Sequence, residues 1–132
     1  MSTFKSLGLN ENLLKAITDM GFETPSEVQE KTIPILLQEE TDIVSLAQTG
    51  TGKTAAFVIP IIDLLLQHRP EHAIPDIQCL VMVPTHELAQ QITEVFIALA
   101  KNTGVKAIGI IGGVDQAPQI ASLENGIDIL VA

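Results

Sequence analysis

A single cysteine, Cys79, is all the thiol this chain has, which excludes an internal disulfide and any cysteine-based metal set. It lies inside the apolar run CLVMV, so a buried, inert thiol is expected. Basic residues are also scarce. Seven Lys and Arg stand against sixteen Asp and Glu, for a formal net charge of −9. That is the wrong sign for a chain that holds nucleic acid by bulk charge. Nucleic acid bound here must meet helix N-termini and backbone amides, or basic segments outside this chain. No apolar run approaches the roughly 20 residues that cross a bilayer. The opening MSTFKSLGLNEN lacks the apolar core and cleavage site of a signal peptide. A cytoplasmic protein with no membrane partner is therefore expected. No repeat of fixed period and no low-complexity tract is present. His68 and His72 would share a face if helical, but Pro70 stands between them and nothing completes a ligand set, so no metal site is expected there.

What is present is 132 residues, 46% of them apolar, a length suited to one domain with a buried sheet. The most informative stretch is AQTGTGKT, comprising Ala47, Gln48, Thr49, Gly50, Thr51, Gly52, Lys53 and Thr54. It follows a short apolar run and opens a long helical pattern, as a phosphate-binding loop must. Gly50 and Gly52 carry no Cβ, so the loop can wrap back and aim several backbone N–H groups at one anion. Lys53 would reach the β- and γ-phosphates, the Thr54 hydroxyl would hold Mg²⁺, and the helix start adds its positive dipole end. The strict pattern G-x-x-x-x-G-K-[ST] wants Gly where this chain has Ala47. The competing reading is a Gly-rich turn that binds nothing, but Lys-Thr after two glycines has no packing reason to be there.

Hydrophobic periodicity supplies the frame. Asn10 is suited to cap a helix running to about Met20, with Leu13 and Ile17 on one stripe and Gly21 closing it. A second helix is expected with Thr24 as cap, Pro25 at its first position and Glu27 completing a capping box. Residues 43–46 read as a buried strand leading into the loop, and 53–67 as a helix that Pro60 should kink. Strands are expected at 79–83, 105–111 and 127–131. Helices are expected from Thr85 to about Leu99 and over 116–123. Strands alternating with helices imply an α/β fold, a parallel sheet with helices on both faces.

Several blocks resemble those of the DEAD-box RNA helicases. GFETPSEVQ at 21–29, with Phe4 seventeen residues upstream of Gly21, resembles that family's Q motif; AQTGTGKT resembles its motif I, including the Ala at position 47. PTHELA at 84–89 is similar to motif Ia, and Gly112-Gly113 followed by Gln119 to the GG motif. The resemblance covers the whole chain and implies a RecA-like P-loop fold. Residues 1–40 would form a Q-motif helical segment and 41–132 a partial core. It also implies ATP and Mg²⁺ as cofactors. Gln29 would read the adenine edge through its amide, Phe4 would pack against the base, and Phe22 and Thr24 would flank it. Pro84, Thr85, His86, Gly112, Gly113 and Gln119 would face an RNA backbone without reading its sequence. Without the flanking GF and Pro25, Gln29 reads as an exposed helix glutamine, and Gly112-Gly113 alone reads almost as readily as a tight turn. The family pattern PTRELA has Arg where this chain has His86, which implies weaker RNA contact, stronger below pH 6.

ATP hydrolysis needs an acid after an apolar strand to hold Mg²⁺. Asp128 and Asp76 each precede their strands, and no DEAD or SAT sequence occurs. The resemblance implies that family members continue past a segment like ILVA into those blocks and a second RecA-like domain. The chain is therefore expected to be the front part of the first helicase domain, inactive alone, with a gap in its sheet that implies marginal stability, strand exchange between two copies, or a sequence shorter than the natural protein. The alternatives are a non-catalytic ATP-binding fragment or another P-loop enzyme, such as a small kinase.

Overall fold

A computed structural model describes residues 3–47, 52–68, 76–110, 112, 115–124 and 126–132. A 3₁₀ turn, Lys5–Leu7, leads into α1 (Glu11–Asp19), α2 (Glu27–Gln38), α3 (Lys53–His68), β1 (Cys79–Val81), α4 (His86–Ala100), β2 (Ala107–Gly109), α5 (Gln116–Glu124) and β3 (Ile129–Val131).

The helix starts follow local chemistry. The Asn10 side chain accepts from the Asn12 N–H at 2.9 Å, and α1 buries Leu13, Ala16 and Ile17 on one face before Gly21 turns the chain at φ +84°. The expected cap of α2 is corrected. Ser26, not Thr24, takes the position, and its box partner is Gln29, not Glu27. The shift of two residues has a physical cause, since Ser26 is the residue in extended backbone, with φ −69° and ψ 168°. Its hydroxyl meets the Gln29 N–H while the Gln29 amide reaches back to the Ser26 N–H. Pro60 does not end α3. The helix continues from Lys53 to His68 with Val58, Ile59, Pro60 and Ile62 all buried, so the packing around Pro60 outweighs the one missing backbone bond. Thr85 caps α4 as expected, accepting from the Leu88 N–H at 3.1 Å.

The sheet is parallel, in the order β1-β3-β2, with Leu80 and Ile108 both opposite Leu130. One face carries Cys79, Val81, Ile129, Val131 and Ala107 toward the core. α4 lies so close to that face that a Cβ on Gly109 would stand 2.8 Å from Thr93 Oγ1. The chain winds outward from β1 to β2 and back to β3, and right-handed crossovers then put α5 across the sheet from α4. The core joins Phe4, Leu13, Ile17, Ile33, Ile59, Ile62, Phe96 and Leu99 to β3. Each of these large side chains is worth about 1.5–3 kcal/mol when buried.

The strand expected at 43–46 joins no ladder among the described residues. The segment keeps its alternation nonetheless. Ile43 is half-buried and Ser45 Oγ lies 3.1 Å from Thr32 Oγ1 of α2, while Val44 and Leu46 are 88% and 92% exposed. Helix contacts hold one side of this segment. Its backbone has no neighbouring strand, and without ladder bonds an extended segment is not a strand.

Candidate nucleotide-binding site

The expected base-reading residue and the phosphate loop meet at one hydrogen bond. Gln29, one turn into α2, is 3% exposed. Its Oε1 accepts from the Ser26 N–H at 3.0 Å, and its Nε2 donates to the carbonyl of Gly52 at 3.2 Å. Gly52 stands at φ +82° immediately before α3, and a Cβ there would run into Gln29 Nε2. Two independent constraints thus demand glycine at position 52, backbone handedness and close approach. The exposed-glutamine reading is excluded by this burial. One N–H and one acceptor lone pair of the amide have no partner in these two bonds, which is the complement an adenine edge offers.

Lys53 and Thr54 form the first turn of α3, where amide N–H groups point out of the helix end. Lys53 is exposed and Thr54 half-buried. Two neighbouring cavities share Val28 and Ser45, and Lys53 lines the smaller. One of about 300 Å³ is lined by Val28, Thr32, Ser45, Lys53 and Phe57. The other, about 550 Å³, is bounded by Ser26, Glu27, Lys31, Leu46 and Ala47. A third cleft of about 490 Å³, lined by Ile97, Lys101, Lys106 and Ile127, lies where the strands begin and belongs to neither. Gln48, Thr49, Gly50 and Thr51 lie outside the described residues.

Phe4 and Phe22 form a pair of their own, ring centroids 6.4 Å apart and tilted by 45°. Phe4 is only 4% exposed, so most of its ring is spent on the core and little is left for a base. Thr24 is exposed and caps nothing. On the expected RNA side, Pro84, Thr85 and His86 are exposed together at the start of α4. Gly112 is exposed with no atom within 4 Å of a Cβ placed on it. Gln119 turns back on its own helix start, donating to the Asp115 carbonyl at 3.2 Å. Gly113 lies outside the described residues.

For Mg²⁺ the site offers the Thr54 hydroxyl, and among the described residues no group of three His, Cys, Asp or Glu gathers anywhere. A magnesium ion held mainly by phosphates and water fits one hydroxyl ligand. Asp128 is accounted for otherwise. It is 1% exposed, and its Oδ2 accepts from the Lys106 N–H at 2.8 Å where β2 begins. Two groups escaped the sequence reading. Asp63 is 2% exposed and accepts from the Asn10 N–H; its signal was being the sole acid in an otherwise apolar helix. The Thr32–Ser45 contact had no signal in sequence.

Residues 26–132 match the profile of the DEAD/DEAH box helicase family. The chain belongs to that family. It is 44% identical over 131 residues to the ATP-dependent RNA helicase dbp10 of Schizosaccharomyces pombe, covering 99% of this chain and 15% of that protein. Its fold matches the RNA helicase Prp28 from Chaetomium thermophilum, solved with ADP bound, at TM-score 0.87 and 33% identity, over 100% of this chain and 32% of that one. A DEAD box protein from Methanococcus jannaschii gives TM-score 0.85 and 38% identity over 98% of this chain and 34% of the other. The chain thus spans about a seventh of the dbp10 relative's length. Among the described residues, no helix is long and apolar enough to cross a membrane.

Proposed function

We propose that these residues form the nucleotide-entry part of an ATP-dependent RNA helicase. In it ATP is held between Gln29 and the loop from Ala47 to Thr54, and an RNA backbone lies against Pro84, Thr85, His86, Gly112, Gly113 and Gln119. The observation that carries this is the Gln29–Gly52 hydrogen bond, which makes a base-reading amide and a phosphate loop one connected unit. Gly50 and Gly52 backbone amides and Lys53 neutralise the triphosphate, while Thr54 ligates Mg²⁺ that arrives with it. The Phe4–Phe22 pair forms the apolar wall on the base side, with the half-buried Phe22 ring offering more open surface than Phe4. The similar Prp28 structure holds ADP, which supports a nucleotide on this fold.

With Asp128 tied to the Lys106 backbone and no cluster of three metal-ligating side chains among the described residues, these 132 residues bind ATP without turning it over. The parent activity, ATP-driven remodelling of RNA duplexes, then belongs to a longer protein. A cytoplasmic site of action, where both ATP and RNA are abundant, is part of the same reading. So is strand exchange between two copies, supported by the unladdered 43–46 segment and by Leu80 of β1, 57% exposed.

Competition between ATP and GTP tests the nucleotide assignment. Gln29→Glu keeps an oxygen for the Ser26 N–H but loses the donor and sets a carboxylate against the Gly52 carbonyl, so it should abolish adenine preference and loosen the loop end from α2. Equal binding of both nucleotides by the unaltered chain would favour another kind of P-loop enzyme. For RNA, His86→Arg at the start of α4 should raise affinity at pH 7 in a full-length protein, since a guanidinium brings a fixed charge and a fork of donors. An unchanged affinity removes His86 from the RNA surface.

A further inference from the structure

We propose that Asp63 is a positioning residue for nucleotide binding, holding the segment that carries Phe4 in place against the helix that presents Lys53 and Thr54. This rests on the nucleotide reading above. Asp63 is 2% exposed in the middle of α3, among Ile61, Ile62, Leu64 and Leu65. A polar group there costs stability unless it is bonded, and both of its oxygens are. Oδ1 accepts from the Asn10 N–H at 2.8 Å and Oδ2 from Gln67 Nε2 at 2.6 Å. An apolar residue would satisfy the packing of this helix equally well, so the acid is explained by what it grips.

What it grips is the end of the N-terminal segment. The 3₁₀ turn that follows Phe4 closes at Gly8, φ +78°, Leu9 is buried at 6% exposure, and Asn10 begins α1. Phe4 lies six residues before the gripped N–H, and Lys53 lies ten residues before Asp63 on the same helix, about 15 Å away at 1.5 Å per residue. The segment that carries Phe4 is therefore referred to the same rigid element, α3, that presents Lys53, through a hydrogen bond across 53 residues of sequence as well as through core packing. Gln67, one turn further along α3, holds the other oxygen and so fixes the rotamer.

A ligand without a base separates positioning from plain stability. In the full chain, affinities for ATP and for inorganic tripolyphosphate are compared by calorimetry. Asp63→Ala should weaken ATP roughly three- to tenfold, the worth of one net hydrogen bond, and leave tripolyphosphate unchanged. Asp63→Asn keeps an oxygen for the Asn10 N–H and should restore ATP affinity. Parallel loss for both ligands, or no loss for either, overturns the proposal. Should Asp63→Ala not fold, Asn10→Pro removes the donor at a φ of −57° that proline accepts, with Asn10→Gly as the control that keeps the N–H. The same ATP-selective loss in the proline variant alone supports the proposal, and its absence overturns it. Unaltered chain that binds tripolyphosphate as tightly as ATP refutes base recognition itself, and this inference falls with it.

Discussion

The helical side of this molecule and its strand edge meet solvent in opposite ways. Leu13, Ile33, Ile59, Ile62, Phe96 and Leu99 have no exposed surface, whereas Val44, Leu46, Met82 and Leu80 are 88%, 92%, 79% and 57% exposed. The two sets are similar in hydrophobicity and differ in what each backbone requires. A helix satisfies its own N–H and C=O groups, so its apolar face needs only another surface to lie against. A strand needs partners for its backbone before its side chains can be sheltered. β1 has β3 on one side, and residues 43–46 have no ladder at all among the described residues.

The largest expected effect tests that contrast directly. Phe96→Ala should cost about 3–5 kcal/mol, whereas Leu46→Ala should stay within about 0.5 kcal/mol, both read from urea unfolding midpoints. Comparable losses would mean that 43–46 is packed in solution and that the two regions are alike. Between the regions stands Gly52, where α3 begins. Gly52→Ala meets both a positive φ and Gln29 Nε2, so about 1–3 kcal/mol of strain is expected, together with weaker ATP binding. A thermal melt and an ATP titration that match the unaltered chain would show that the loop end is free to move away from α2.

The smallest effect belongs to the exposed surface of the helical side. A hydrogen bond from Lys31 Nζ to Glu27 at 2.8 Å, reinforced by its charge, holds the Glu27 carboxyl below its ordinary value of 4.5, and Glu27 in turn raises Lys31 above 10.5. The Glu27 contribution is present above the unfolded carboxylate value and is lost as pH falls through the lowered folded one. The lysine contribution is lost only as pH rises through its raised value. Both groups are solvated, so Glu27→Gln should change the pH 7 unfolding midpoint barely, and less still at high salt. A large shift would mean that the start of α2 depends on this pair rather than on the Ser26–Gln29 box.

Local chemistry made much of this legible. Caps at Asn10 and Thr85, the periodicity of α4, the glycine turns and the loop AQTGTGKT all act within a few residues, so reading them needed no fold. The α2 cap shifted from Thr24 to Ser26 because either residue can supply the oxygen, and the backbone angle that selects one is not written locally. Pro60 reads as a kink or an irregular turn because its missing N–H is a local fact. The burial that carries α3 through it comes from other elements.

By itself the sequence determined the order of the helices and of the three paired strands and the parallel α/β class, since periodicity and turn glycines are short-range properties. Only the tertiary structure decided that Gln29 is buried against Gly52, that Asp63 holds Asn10, and that 43–46 joins no ladder among the described residues. Each of those depends on which groups, 23 or 53 residues apart in two of the cases, arrive within bonding distance, and on whether a backbone finds a neighbour. Hydrogen bonds act only at contact, and no local pattern specifies a contact across such a separation.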